Sequence, residues 1–146
     1  MSTQRPAGAS PLAGRNAGVL LHPSSLPGPG PQGDLGVEAK NFVNFLADCG
    51  FCYWQMLPTG PTHGLFSSPY QSLSARAGNP SLVSMEELAV AGWLTAEEIS
   101  RFDRGALLDK ALARVLANPG PRAEFEAFQQ QHAGWLDESE APRGIP

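Results

Sequence analysis

This sequence is short of charge, and what charge it has is scattered. Only 16% of its 146 residues are Asp, Glu, Lys or Arg, and the net charge is −4. There is no basic stripe or Lys/Arg cluster, so the sequence lacks the phosphate-tracking surface that DNA or RNA binding requires. Nor does any apolar run approach the roughly 20 residues that a membrane helix needs. The first thirteen residues hold one Arg and no apolar stretch, so no secretory signal is read there and the expected location is cytoplasmic.

Cysteine is nearly absent too. Cys49 and Cys52 form a Cys-Gly-Phe-Cys pattern, but a redox motif wants its first thiol at a helix N-terminus, where N–H groups stabilise a thiolate. Here Cys49 ends a predicted helix, where the dipole disfavours a thiolate. The pair is therefore read as two small apolar residues at a helix-to-strand corner. His22, His63 and His132 show no zinc-ligand spacing, and no metal or organic cofactor is expected.

Apolar residues, at 42%, suffice for one domain core, while 16 Gly and 14 Pro mark the loops. Residues 1–14 read as a flexible lead. Residues 17–21 form a short apolar run consistent with a strand buried on both faces. Residues 37–49 place Phe42, Phe45, Leu46 and Cys49 at helical spacing, and Gly50 closes that helix. Residues 51–57 read as a second strand, ended by Pro58. Strand, helix and strand make a parallel βαβ unit whose strands finish on one edge. Ligands gather at that edge in α/β folds.

Beyond residue 83 the pattern is helical. Ser84 with Glu87 and Thr95 with Glu98 each fit a capping box. Leu107, Leu108, Ala111, Leu112, Val115 and Leu116 form the face of a third helix, stopped by Pro119-Gly120-Pro121, and Phe125, Phe128, His132 and Trp135 form the face of a fourth. His132 is read as a buried, satisfied histidine, Trp54 as core, and Asp34 as a cap for the helix near Val37. The expected division is a lead at 1–14, a βαβ unit with a cleft loop at 15–83, a helical insertion at 84–138, and an irregular tail at 139–146.

The loop leaving the second strand carries Ser68-Pro69-Tyr70-Gln71-Ser72, followed by Gly78-Asn79-Pro80. An aromatic held at a sheet's carboxyl edge can stack on the C–H face of a sugar. A Tyr in such a loop is also an ordinary packing residue, and both readings stand from the residues alone. Likewise His22, ending the first strand, reads as a loop hydrogen-bonding residue or a ligand contact.

These motifs, with Ala17-Gly18-Val19-Leu20-Leu21-His22-Pro23-Ser24-Ser25-Leu26-Pro27-Gly28 and Tyr53-Trp54-Gln55-Met56-Leu57-Pro58-Thr59-Gly60-Pro61-Thr62, resemble in order and spacing the start of the 4-α-glucanotransferases, the amylomaltase family. The resemblance implies an α/β fold, the N-terminal part of a (β/α)8 TIM barrel followed by a helical insertion. It also implies a retaining transfer of α-1,4-glucan segments to an acceptor 4-hydroxyl, with maltose and maltooligosaccharides as partners. Tyr70 corresponds to the family's sugar-stacking aromatic. Ser68, Pro69, Gln71, Asn79 and His22 are carried over as substrate-binding candidates. The loop carrying Leu65-Phe66 departs from the family pattern, in which small and acidic residues are common there.

Retaining transfer needs two carboxyl groups about 5 to 5.5 Å apart. Among the 14 acidic residues only Asp34 sits in a loop on the presumed active edge, and no pair is evident. The family's catalytic carboxylates lie on later barrel strands, so the chain is expected to be an N-terminal portion, inactive by itself. The rival expectations are a related α-glucan hydrolase, a non-catalytic remnant binding maltooligosaccharide weakly or not at all, and a redox protein.

Overall fold

The computed structural model describes residues 15–28, 30–62, 68–72 and 74–140. Strand β1 spans Gly18–Leu20 and strand β2 spans Tyr53–Gln55, joined by helix α1, Val37–Asp48. The strands pair in parallel with Gly18 opposite Tyr53 and Leu20 opposite Gln55. The backbone bond from Leu21 N–H to the Gln55 carbonyl, 3.0 Å, extends the ladder to the edge where both strands end. The α/β reading is met in this βαβ unit, although each strand is shorter than its apolar run.

Helix α1 ends as its sequence dictates. Gly50 adopts φ 77°, a region that admits glycine without a Cβ penalty. Its N–H donates to the Ala47 carbonyl at 3.0 Å, and Phe51 N–H donates to the Leu46 carbonyl at 2.9 Å. Those two bonds are a Schellman closure. The covered stripe of α1 is Ala39 and Leu46, buried, with half-buried Phe42; Phe45 and Cys49 are exposed. The predicted face was thus rotated, because Trp54 of β2 meets Phe42 edge-on at 5.0 Å and selects the 39/42/46 side.

Four further helices follow: α2 (Met85–Val90), α3 (Ala96–Arg101), α4 (Arg104–Ala117) and α5 (Pro119–Glu140). Buried Met85, Leu94, Leu107 and Ala111 form their core, with Trp93 and Ile99 packed against it. Thr95 and Glu98 make the full capping box. Ser84 makes half of one: its Oγ accepts from Glu87 N–H, while the Glu87 carboxylate pairs with Lys40 of α1 at 2.7 Å. Glu98 also takes a two-point bond from the Arg114 guanidinium at 2.7 and 2.8 Å, which ties α3 to α4.

Several expectations need correction. Pro119-Gly120-Pro121 ends α4 but also opens α5, since proline at a first helical turn forfeits no intrahelical bond. Helix α5 runs to Glu140, two residues into the stretch expected to be irregular. His132 is half-exposed, flanked by Phe128 and Trp135 on its own helix at 4.5 and 5.9 Å between ring centroids. Strand β1 is not buried on both faces: Leu20 is 55% exposed, because α1 is the one helix among the described residues that makes more than marginal contact with the sheet. Cys49 and Cys52 are exposed as well, since the Schellman turn carries the corner outward. Asp34 does not cap α1 directly. Its Oδ1 accepts from Gly36 N–H at 2.9 Å and so shapes the residue before the helix.

Candidate functional site

At the carboxyl edge of the two strands, the chain leaves β1 through His22-Pro23-Ser24-Ser25 and leaves β2 through Met56 to Gly60. His22 and Asn79 each precede a proline and each begin a 3-10 turn. Proline fits the first position of such a turn because it has no N–H to satisfy and its φ is already set. The preceding side chain then accepts from the backbone N–H two residues on: His22 Nδ1 from Ser24 at 3.3 Å, and Asn79 Oδ1 from Ser81 at 2.9 Å. Asn79 N–H also donates to the Thr59 carbonyl at 2.9 Å, which fastens the second turn to the segment after β2. Pro23 is fully buried beneath the first turn. A Cβ on Gly33 would strike the Pro23 and Leu26 carbonyls, so glycine lets the loop close over it.

The two turns face one another across a polar cavity of about 210 Å³. His22, Ser24, Asn79, Ser81, Gln32 and Thr62 supply its polar groups. Of the residues singled out from sequence, the structure brings His22, Pro69 and Asn79 together here. His22 Nδ1 also lies 2.7 Å from the Ser24 hydroxyl. With Nδ1 accepting from the Ser24 backbone N–H, Nε2 is the ring nitrogen left to donate.

Tyr70 lies in an adjoining cleft of about 720 Å³, which shares Pro58, Gly60 and Pro69 with the polar cavity. A turn presents it: Gln71 N–H donates to the Ser68 carbonyl at 3.0 Å, with Pro69 at the position that proline favours in such turns. The Tyr70 side is 74% exposed, and no described residue bonds its hydroxyl or the Gln71 amide. Thr62 and Ser72 form an isolated antiparallel bridge that closes the base of this loop. Residues 63–67, including Leu65 and Phe66, and position 73 lie outside the described residues. Ser68 and Gln71 line neither cavity.

Neither cavity is lined by a carboxylate among the described residues. Asp34 lines a separate depression with Glu38 and Glu86, and no three His, Cys, Asp or Glu among the described residues come together as a metal site. Trp54 belongs to the framework, as its spacing implied: its indole N–H donates to the Leu21 carbonyl at 2.8 Å. Sequence reasoning missed Ser24, Gln32, Thr62 and Ser81. For the two serines the signal was the repeated residue-Pro-Ser pattern at 22–24 and 79–81, which builds two like turns at the same edge. No helix among the described residues is long and apolar enough to cross a membrane.

Comparison with known proteins gives the family. The family described as 4-alpha-glucanotransferase matches residues 21–140. The 4-alpha-glucanotransferase of Thermus thermophilus is 44% identical over 137 residues, covering 85% of this chain and 27% of the relative. That of a Synechocystis species is 51% identical over 139 residues, covering 84% and 27%. An amylomaltase from Streptococcus agalactiae, solved in complex with acarbose, superposes with a TM-score of 0.74 at 30% identity over 82% of this chain and 27% of that one. The chain thus spans about a quarter of the length of such relatives. A match across most of the chain, reaching from the end of β1 through the cleft loop and along α5, shows that it belongs to the 4-α-glucanotransferase family.

Proposed function

We propose that this chain supplies the first βαβ unit of a (β/α)8 barrel, over residues 15–83, with a helical insertion at 84–138, and that its sheet edge forms part of the α-1,4-glucan cleft of a cytoplasmic, retaining 4-α-glucanotransferase. The observation that carries this reading is the juxtaposition of an exposed Tyr70 with a polar cavity lined by His22 and Asn79, at the carboxyl end of parallel strands.

The chemistry follows from the substrate. A pyranose has an apolar C–H face and a rim of hydroxyls, so it is held by an aromatic surface beside donors and acceptors. Tyr70 supplies the surface, and Pro69 fixes the approach of the chain to it. Ser68 and Gln71 flank Tyr70 in the turn without lining either cavity, so the Gln71 side-chain amide and Ser68 hydroxyl are assigned to sugar hydroxyls that project beyond the cleft walls, and the Nε2–H of His22 donates within the polar cavity. Tyr70→Ala is expected to weaken maltotriose binding by about tenfold, on the order of 1.4 kcal/mol, read by NMR titration of the labelled chain. Unchanged affinity would remove the stacking role.

Bond cleavage is a different matter. A retaining mechanism requires a nucleophile and an acid/base carboxyl, and the cleft walls carry neither among the described residues. The chain by itself is therefore expected to bind α-glucan without disproportionating it. Formation of glucose and longer oligosaccharides from maltotriose by the purified chain would refute this.

A further inference from the structure

The cleft that holds Tyr70 has, among the described residues, a single charged residue on its walls, Arg76. Among the described residues, every other Lys or Arg except Arg15 is engaged by a carboxylate or a backbone carbonyl. Arg15 precedes β1, at the amino end of the sheet. Arg76 is therefore the unengaged cation of the carboxyl edge among the described residues, none of which satisfies its guanidinium.

Its backbone is held. Ser74 Oγ accepts from the N–H groups of Arg76 and Ala77 at 3.2 and 3.1 Å, and Ser72 Oγ–H donates to the Ser74 carbonyl at 2.6 Å. Gly60 lets this loop approach the segment after β2, since a Cβ there would collide with Ser72 and Ser74. A donor fork thus rises from an ordered backbone on the wall that also bears the aromatic surface.

We propose that Arg76 determines saccharide specificity in this cleft: its guanidinium donates two parallel N–H bonds to vicinal hydroxyls of the pyranose seated on Tyr70. The inference rests on the glucan reading above. Guanidinium is planar, offers five donors and no acceptor, and is weakly hydrated for a cation, so it surrenders its water to neutral acceptors more readily than an ammonium. Vicinal hydroxyls present two acceptor oxygens side by side, as the fork requires. The ligand is taken as a neutral sugar because the pyranose seated on Tyr70 is the glucose unit of the glucan reading.

The test titrates the full chain with maltotriose and with its 3-deoxy analogue, comparing wild type with Arg76→Gln, Arg76→Lys and Tyr70→Ala. Circular dichroism checks that each variant keeps its helix content. Wild type is expected to prefer maltotriose to the deoxy sugar, while Arg76→Gln and Arg76→Lys bind maltotriose about tenfold more weakly and lose that preference. Wild-type affinity in Arg76→Gln, or wild-type affinity and preference in Arg76→Lys, overturns the fork. Tighter, Arg76-dependent binding of a phosphorylated maltodextrin overturns the neutral-sugar assignment. If Tyr70→Ala loses affinity and Arg76→Gln does not, the inference falls and the glucan reading stands; no maltotriose binding by wild type fells both.

Discussion

Two unlike side chains do one job where the strands end. An imidazole at His22 and an amide at Asn79 each accept the N–H two residues on, across an intervening proline. Asparagine is an ordinary residue for such a cap and histidine a rare one. Asn79→Ala is expected to lower stability by about 1 kcal/mol, measured by urea titration. His22→Asn keeps a capping acceptor, so it is expected to hold stability within about 0.5 kcal/mol of wild type, whereas His22→Ala falls by about 1 kcal/mol. If His22→Asn also weakens maltotriose binding, the Nε2–H has a ligand role that the cap alone cannot explain.

At the scale of elements, legibility followed the range of the interaction. The termini of α1 and α3 were readable because their determinants are local: Gly50 for one, Thr95 with Glu98 for the other. The Ser84 box was half right, because Lys40, 47 residues earlier by number, draws the Glu87 carboxylate away. The covered side of α1 was misjudged for the same reason, as Trp54 of β2 decides it from a distance. The edge that gathers His22, Pro69 and Asn79 was legible from strand order, but the polar cavity between the two turns was not. Its walls come from five separated segments.

Glu98 joins α3 to α4 through Arg114 and Lys110. Chiefly through the hydrogen bonds from Arg114, its pKa is lowered from 4.5 to about 2. A carboxylate whose folded pKa is depressed contributes stability that is fully present above its unfolded value and is lost as pH falls through the folded one. The melting temperature is therefore expected to drop between about pH 4.5 and pH 2. Glu98→Gln should flatten that drop while lowering the melting temperature at pH 7, because Arg114 then loses its anionic partner. An unchanged acid limb in Glu98→Gln would mean that other carboxylates govern it.

Taken whole, the molecule has its apolar weight on one side. Met85, Leu94, Leu107 and Ala111 make a contiguous buried cluster among the helices, whereas the sheet has two strands of three residues each, one of them with Leu20 half-exposed. A two-stranded sheet is marginal in water unless something packs on it, and here α1 packs mainly through Phe42 against Trp54. Opening free energies track buried apolar contact and backbone bonds shielded from water, so the two parts should open separately. Native-state hydrogen exchange is expected to show the slowest amides in α4, around Leu107 and Ala111, and faster ones in β1 and β2. The same inequality bears on the cleft. Tyr70 and the polar cavity hang from the weaker part, so saturating maltotriose should slow exchange at Leu21 and Gln55 more than at Leu107. Equal protection across the chain, with or without sugar, would mean that sheet and helices open as one unit.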